Sequence, residues 1–361
     1  MALGQAPLGW WFVTLTALAF LLRMLARADV VTGLWLGWFA GGGYFLVALN
    51  WIVNPFFVDA AQTGWMAPFA LILMAFGMAL FWASAAGLAL MSRVPLLALV
   101  TSFAAAELAR GYVLTGFPWA LIGHVWIDHP PAQLAALVGP SGLTLLALIV
   151  AALLAAGRVG PGAAGLALLA GMWGFGWWQL DQPDPATPGV TLRLVQPDAA
   201  QDTKWDADHA QTYFNRLMTA TAAPPGVLGP VDLVIWPETA LPYLIRDNPD
   251  LPVLIGQAGR GALVAVGLQR VQDGRGWNSL QVFGPDGGLR ASYDKHHLLP
   301  FGEYYPLGAL AYDWFGFGAF PAVAGNAFSA GVGPAVLDLG GKLGQVLPLI
   351  CYEAVFPQDL R

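Results

Sequence analysis

Near its C-terminal end the sequence reads Gly344-Gln345-Val346-Leu347-Pro348-Leu349-Ile350 and continues as Cys351-Tyr352-Glu353. An apolar run that ends abruptly in polar residues is typical of a buried strand that presents a side chain at its tip. Cys351 is the only cysteine among 361 residues. A thiol near a carboxylate and a lysine can act as a nucleophile, whereas most free cysteines are buried and inert. The rest of the C-terminal half has to decide between these interpretations.

The charged residues divide the chain into two parts. They make up 11% of the sequence, against roughly 25% in ordinary soluble domains. Residues 1–180 hold only five arginines and four acidic residues, and residues 181–361 hold the other 29 charges. We therefore predict a transmembrane domain over residues 1–180, a linker over 181–189 and a water-soluble domain over 190–361. The net charge of −6 gives no basic surface for nucleic acid.

The first part contains about six apolar segments, predicted as helices of a multi-pass membrane domain. Most reach the ~20 residues needed to cross a bilayer, and the first is marginal. Residues 115–131 are too interrupted to span and are predicted to form an interfacial loop. The segments are Leu8–Leu22, Val30–Val53, Trp65–Met91, Leu96–Leu114, Ala132–Ala156 and Pro161–Trp178.

Arginine placement predicts the orientation of these segments. The arginines that follow segments one, three and five are Arg23, Arg27, Arg93 and Arg158. The loops on the opposite side carry Asp59 and Asp128 instead. Because positive residues favour the cytoplasmic side, residues 181–361 are expected outside the cytoplasm. Glu107 and Arg110, one helical turn apart in segment four, are either a functional pair or an ion pair at a helix end.

The second part reads as an α/β domain with strands buried on at least one face. Two amphipathic stretches, Asp206–Ala223 and Pro249–Arg260, are predicted as helices. The predicted strands are Val190–Val195, Asp232–Trp236, Ala262–Gly267, Asn278–Phe283, Leu289–Tyr293, Val336–Leu339 and Gln345–Ile350.

Three of these strands lead directly into reactive side chains, namely Glu238, Lys295 and Cys351. Active sites of α/β folds gather at strand ends, where rigid strands hold side chains in fixed geometry. A glutamate can take the thiol proton, a lysine can stabilise an oxyanion, and a cysteine can carry an acyl group. Singly, Glu238 could be a helix-cap neighbour and Lys295 a solvated loop charge. Together they predict acyl transfer.

The blocks around these residues resemble the three signatures of the nitrilase (carbon–nitrogen hydrolase) superfamily. They are Trp236-Pro237-Glu238, the run from Tyr293 to Glu303, and Cys351-Tyr352-Glu353. With its membrane part, the chain resembles the apolipoprotein N-acyltransferases of the bacterial inner membrane. The resemblance implies an αββα sandwich on the periplasmic side, in agreement with the orientation obtained from the arginines.

The resemblance also implies individual roles. Glu238 would be the general base, Lys295 the oxyanion stabiliser and Cys351 the nucleophile. Supporting residues implied by the family's motifs are Glu303, Tyr352, Glu353, Trp205 and Asn278. Asn278 belongs to a tyrosine–asparagine–serine motif in which Trp277 replaces the tyrosine here, so its role carries over less directly.

The implied substrates are a phospholipid acyl donor and a diacylglyceryl-cysteine apolipoprotein, joined through a cysteine thioester. A monomer in the lipid bilayer is expected, with no cofactor. No metal is expected, because His296 and His297 are adjacent and lack the i, i+4 spacing of a helical zinc pair. The aromatic stretch 304–325 is either a lid that dips into the bilayer surface or a loop packed on its own domain.

Two alternatives remain open. One is a membrane-tethered amidase of the same superfamily, which would use water as acceptor. The other is a transporter or scaffold with an inactive outer module, which the three intact reactive residues argue against. Compared with the family pattern, the chain is also expected to be a fragment, open at both ends and with an incomplete sandwich. As such it is expected to turn over poorly, if at all.

Overall fold

A computed structural model describes residues 1–200, 203–204, 206–227, 229–300, 302–304 and 328–360. Two compact units make up the chain, Met1–Asp184 and Pro185–Arg361. The predicted linker 181–189 lies across the division between them. Trp205 and most of the aromatic stretch 304–325 lie outside the described residues, so the expectations placed on them stay predictions.

The first unit is helical. Four of its helical stretches are long and apolar enough to cross a membrane: Val30–Ala48, Ala60–Ala89, Pro130–Ala155 and Val159–Leu180. The individual helices are α1 Trp11–Leu25, α2 Val30–Ala48, α3 Ala60–Thr63, α4 Ala67–Leu90, α5 Pro95–Arg110, α6 Ala135–Ala155 and α7 Val159–Leu180.

Two of the six predicted segments form helices that are too short to be among these four stretches. Helices α1 and α5 have 15 and 16 residues, below the ~20 that span a hydrocarbon core. The predicted segment Leu96–Leu114 overruns its helix, which ends at Arg110. Beyond it Leu114 adopts a positive φ of 53° in a short 3₁₀ turn, a conformation that no α-helix continues.

Close contact between α2 and α4 dominates the packing of this unit. A Cβ atom at Gly37 would lie 2.8 Å from the Trp82 carbonyl oxygen, and one at Gly41 would lie 3.1 Å from Ala79 Cα. Glycine at these positions lets the two backbones approach, as is common between helices in lipid.

Glu107 and Arg110 form an ion pair at the C-terminal end of α5, and the pair is buried. Their side chains are 1% and 0% exposed and meet at 2.9 Å. Trp82 Nε1 donates to the other Glu107 oxygen at 2.7 Å. The Arg110 guanidinium donates to the carbonyl oxygens of residues 117, 119 and 120. The pair therefore ties the irregular loop after α5 to the helices.

The second unit contains a five-stranded mixed sheet in the order β1-β2-β3-β4-β5. Strands β1, β2 and β3 are parallel, and β4 is antiparallel to both β3 and β5. A separate antiparallel ribbon pairs β6 with β7. The strands are β1 Leu192–Leu194, β2 Leu233–Ile235, β3 Leu263–Gln272, β4 Arg275–Phe283, β5 Leu289–Asp294, β6 Leu337–Gly340 and β7 Gly344–Val346.

Helices α8 (Ala207–Thr221) and α9 (Leu251–Ala258) belong to the same unit. Leu217 of α8 and Ile255 of α9 are fully buried in one cluster with Val264 and Val266 of β3. This topology brings the carboxyl ends of β1, β2, β3 and β5 to one edge of the sheet. Residues that follow β2 and β5 therefore meet there.

Candidate active site

Glu238 follows β2 and is positioned by close packing on β3. Trp236 is buried, and its indole nitrogen donates to Thr221 Oγ1 at 2.8 Å. A Cβ atom at Gly267 of β3 would collide with the Pro237 carbonyl oxygen and lie 2.8 Å from Glu238 Cα. Only glycine allows this approach, so the sequence of β3 helps to place the glutamate.

Lys295 follows β5 and is almost fully buried, with 1% of its side chain exposed. Its backbone nitrogen donates to the Asn278 carbonyl oxygen at 2.9 Å, which extends the β4–β5 pairing by one residue. The preceding Asp294 is held by Arg270 at 2.7 Å and by Ser279 Oγ at 2.6 Å. These contacts fix the end of the strand that carries the lysine.

Cys351 does not lie at the tip of a strand. The predicted strand Gln345–Ile350 is wrong from Leu347 onward. Strand β7 ends at Val346, and Cys351 opens the 3₁₀ helix Cys351–Val355. Pro348 has no N–H to donate to a ladder, which interrupts strand pairing. Cys351 has a positive φ of 51° and an exposed side chain. The thiol is thus presented on a sharp turn.

The carboxylates of Glu238 and Glu303 and the ammonium of Lys295 form one hydrogen-bonded cluster. Lys295 Nζ lies 3.3 Å from Glu238 Oε1 and 2.9 Å from Glu303 Oε2. The Asn278 amide donates to Glu238 at 2.6 Å and to Glu303 at 3.0 Å. The predicted residues Glu303 and Asn278 are therefore brought together with Glu238 and Lys295.

Glu353 joins the segment after Lys295 to the turn that carries Cys351. Its fully buried carboxylate accepts from the backbone nitrogens of His296 at 2.9 Å, His297 at 3.2 Å and Ile350 at 2.7 Å. The Tyr293 hydroxyl donates a further bond at 2.7 Å. Burial, followed by this bond and the Glu353 charge, raises the pKa of Tyr293 and keeps it a donor.

Tyr352 packs inside the same turn and points away from solvent. It is 2% exposed, and its ring meets those of His297 and Phe356 edge to face. Burial raises the pKa of its hydroxyl. Tyr352 therefore supports the turn by packing.

The electrostatics of the cluster favour a neutral thiol and a charged lysine. Partial desolvation raises the pKa of Cys351, and the charge of Glu238 and a hydrogen bond to it act in the same direction, while Lys295 opposes them. Burial alone would lower the pKa of Lys295, but Glu238 and Glu303 outweigh it and raise that pKa. The thiol must therefore lose its proton during attack, and Glu238 is the carboxylate whose charge acts on it most strongly.

Two family models together match most of the chain. Residues 1–153 match the apolipoprotein N-acyltransferase N-terminal domain, and residues 191–361 match carbon–nitrogen hydrolase. The apolipoprotein N-acyltransferase of Caulobacter vibrioides is 41% identical over 99% of this chain and 71% of its own length.

The chain belongs to the apolipoprotein N-acyltransferase family.

Further relatives of that name agree. Those of Sinorhizobium fredii and Rhizobium meliloti are each 36% identical, over 94% and 90% of this chain. The chain spans 66% and 65% of their lengths. A solved carbon–nitrogen hydrolase superfamily protein from Xanthomonas campestris aligns with 48% of this chain at 22% identity, covering 54% of its own chain. Its TM-score of 0.29 is too low to support an argument.

The family membership confirms the predicted fold class: membrane helices followed by an α/β domain of carbon–nitrogen hydrolase type. Of the implied αββα sandwich, the described residues contain the five-stranded sheet and the β6–β7 ribbon. The roles of individual residues in this family member stay predictions, although seven of the eight predicted positions are described and lie in two connected clusters. Trp205 is the eighth and lies outside the described residues.

Sequence reasoning missed residues that support the site from separate segments. Lys204 Nζ donates to the Glu238 carbonyl oxygen and to the Thr239 hydroxyl. Asp359 lies 3.2 Å from His297 and 3.6 Å from His296, so potential metal ligands do come together in the described chain. One His296 nitrogen is already engaged by Glu353 at 2.6 Å. Helical spacing could not reveal this cluster, and the expectation of no metal stays a prediction.

Proposed function

We propose that the chain moves an acyl chain from a membrane phospholipid, through a thioester on Cys351, to the N-terminal amine of a diacylglyceryl-cysteine apolipoprotein. The observation that carries this proposal is the placement of Glu238. Its carboxylate lies 3.3 Å from the Lys295 ammonium and accepts from the Asn278 amide at 2.6 Å, and its charge raises the pKa of the Cys351 thiol. A base, a nucleophile and a cation are thus within reach of one carbonyl group.

The first half-reaction forms the thioester. Glu238 takes the proton of the thiol, and the sulfur attacks the ester carbonyl carbon of the phospholipid. The Lys295 ammonium stabilises the oxyanion that develops on the carbonyl oxygen. When the carbon–oxygen bond breaks, protonated Glu238 gives its proton to the leaving alkoxide, and a lysophospholipid departs.

The second half-reaction consumes the thioester. The apolipoprotein amine attacks the thioester carbonyl carbon while Glu238 accepts a proton from the nitrogen. The carbon–sulfur bond then breaks, an amide is formed, and the thiolate regains its proton from Glu238. Glu303 and Asn278 keep the lysine and glutamate aligned through both steps by their bonds at 2.9 Å and 2.6 Å.

The proposal places the chain in the bacterial inner membrane as a monomer, with residues 181–361 in the periplasm. The support is the arginine pattern of Arg23, Arg27, Arg93 and Arg158 on one side of the helices. A periplasm-only reporter fused near Gln182 should be active, and one fused near Arg93 should be silent. The reverse pattern would refute the orientation.

Transfer itself is tested with a phospholipid of defined acyl mass and a synthetic diacylglyceryl-cysteine peptide. The peptide should gain one acyl chain on its amine in the presence of the full chain in lipid nanodiscs. A peptide with an acetylated amine is the matched control and should stay unchanged. Release of free fatty acid without peptide acylation would instead favour the amidase alternative.

A further inference from the structure

A second lysine lies next to the backbone that carries Glu238. Lys204 is half-buried in the turn between β1 and α8. Its Nζ donates to Thr239 Oγ1 at 2.9 Å and to the Glu238 carbonyl oxygen at 3.3 Å. The family signatures used above give this lysine no role. Its contacts are with the residue proposed as base and with the residue that follows it.

The backbone that Lys204 contacts is strained. Thr239 is buried and adopts a positive φ of 45°, which is strained for a β-branched residue and persists only when neighbours hold it. On one side, the backbone nitrogens of Ala240 and Leu241 donate to the Gly267 carbonyl oxygen at 2.9 and 3.1 Å. On the other side, the Lys204 ammonium binds Glu238 and Thr239.

The charges of the cluster also point to Lys204. Two carboxylates, Glu238 and Glu303, face one ammonium, Lys295, which leaves one negative charge in excess. A thiolate at Cys351 would add to that excess while Glu238 is ionised. Burial lowers the pKa of Lys204, and the negative charges of Glu238 and Cys351 oppose this lowering. A charged Lys204 balances the second carboxylate.

We propose that Lys204 is a positioning residue for acyl transfer: through its bonds to Glu238 and Thr239 it holds the general base toward the thiol, and its charge lowers the cost of forming the Cys351 thiolate. It acts through Glu238 and does not touch substrate. This proposal extends the proposed function and rests on it for the role of Glu238. The proposal has two parts that can be tested separately: the rigid turn at Glu238 and Thr239, and the positive charge of Lys204.

The test uses Cys351, the only cysteine, as a reporter that needs no acyl substrate. The full chain in nanodiscs is alkylated with iodoacetamide across pH, and acyl-adduct formation is measured in parallel. Lys204→Met should raise the alkylation midpoint by about one pH unit, as removal of a nearby cation does. Lys204→Arg keeps the charge and should restore the midpoint. Acylation by Lys204→Met should fall about 100-fold, the loss typical of a misplaced catalytic group.

The hydrogen bond is tested separately with Thr239→Val, which is isosteric and leaves the backbone strain unchanged. It should slow acylation about tenfold, because the variant loses one hydrogen bond to a charged group. Combined with Lys204→Met it should add less than twofold, because both changes remove the same contact. The control is Lys342→Met, since Lys342 is an exposed lysine 3.7 Å from Asp232.

The proposal is overturned if Lys204→Met keeps the wild-type alkylation midpoint and acylation rate, or if Lys342→Met shifts the midpoint equally. It is also overturned if the factors by which Lys204→Met and Thr239→Val slow acylation multiply in the double variant. If Lys204→Met does not fold, Thr239→Val and Lys204→Arg decide: wild-type acylation by Thr239→Val contradicts the proposal. Failure of the wild-type chain to acylate at all would refute the proposed function, and the alkylation midpoints would still decide the role of Lys204.

Discussion

Among the described residues, each unit buries one cationic side chain almost completely, and the two are surrounded differently. In the membrane unit, Arg110 faces a single carboxylate, Glu107, and its terminal guanidinium nitrogens also donate to backbone carbonyl oxygens, while its buried Nε has no partner among the described residues. In the second unit, Lys295 faces two carboxylates, and the charge of one of them, Glu238, acts on the pKa of the Cys351 thiol. A buried ion pair sealed from solvent has a structural role, because removal of one partner leaves an uncompensated buried charge. A buried charge that shares two partners with a nucleophile is arranged for chemistry.

Exposure separates the two sites in the same way. Glu107 and Arg110 are sealed, with about 1% or less of each side chain accessible. Around Lys295 the proposed base Glu238 is 30% exposed, and Cys351 is accessible as well. A substrate can reach the second site and not the first. The distinction fails if substitutions at the first site change the rate of acylation, or if substitutions at the second site change mainly the stability of the fold.

The largest expected effect is on the stability of the membrane unit. Arg110→Met leaves Glu107 charged and unpaired in a buried site, which should lower the free energy of unfolding by about 3–5 kcal/mol. Denaturation of the purified chain in detergent measures it, with the exposed Arg93→Met as control. Molecules that remain folded should still acylate Cys351. An unchanged denaturation midpoint would contradict a structural role for the pair.

The next effect is on chemistry and should leave the fold intact. Lys295→Met removes the proposed oxyanion partner and should slow acylation of Cys351 about 10²–10³-fold, equivalent to about 2.7–4 kcal/mol. Thermal unfolding of the variant should show a cooperative transition, as in the wild-type chain. If the variant acylates at the wild-type rate, the distinction between the two buried cations fails.

A smaller loss is expected from a change that moves the base without altering any reactive group. Gly267→Ala places a methyl group against the Pro237 carbonyl oxygen and Glu238 Cα. The displacement should slow acylation about 100-fold. The control is Gly226→Ala, where a Cβ atom would meet open space. Equal rates for the two variants would mean that β3 does not position Glu238.

The smallest effect has opposite signs in two assays. Ionised Glu238 raises the pKa of Cys351, so Glu238→Gln should lower the pH midpoint of iodoacetamide alkylation by about one pH unit. The same variant lacks the base and should acylate more slowly. The thiol would be more reactive toward a simple reagent and less reactive toward the ester. A rise in the alkylation midpoint would contradict the proposed contact.

The sequence could predict the parts of this molecule that depend on local pattern. Apolar length and charge placement located the membrane helices. The apolar run before Glu238 located β2, and the alternating segment Leu289–Tyr293 before Lys295 located β5. Alternation and composition do not encode the positive φ of Cys351, whose turn is held by bonds from Glu353 to the backbone nitrogens of Ile350 and of the distant His296. The contacts of Lys204 and Asp359 join residues far apart in sequence and appear only in the folded unit.

The proposed reaction requires that Cys351 carries the acyl group. Intact-mass analysis of the full chain, incubated in nanodiscs of a single phospholipid, tests this step. The wild-type protein should gain one acyl chain, which hydroxylamine removes by cleaving the thioester, and Cys351→Ala should gain none. An equal adduct in Cys351→Ala would show that the acyl group is carried elsewhere and would refute the thioester.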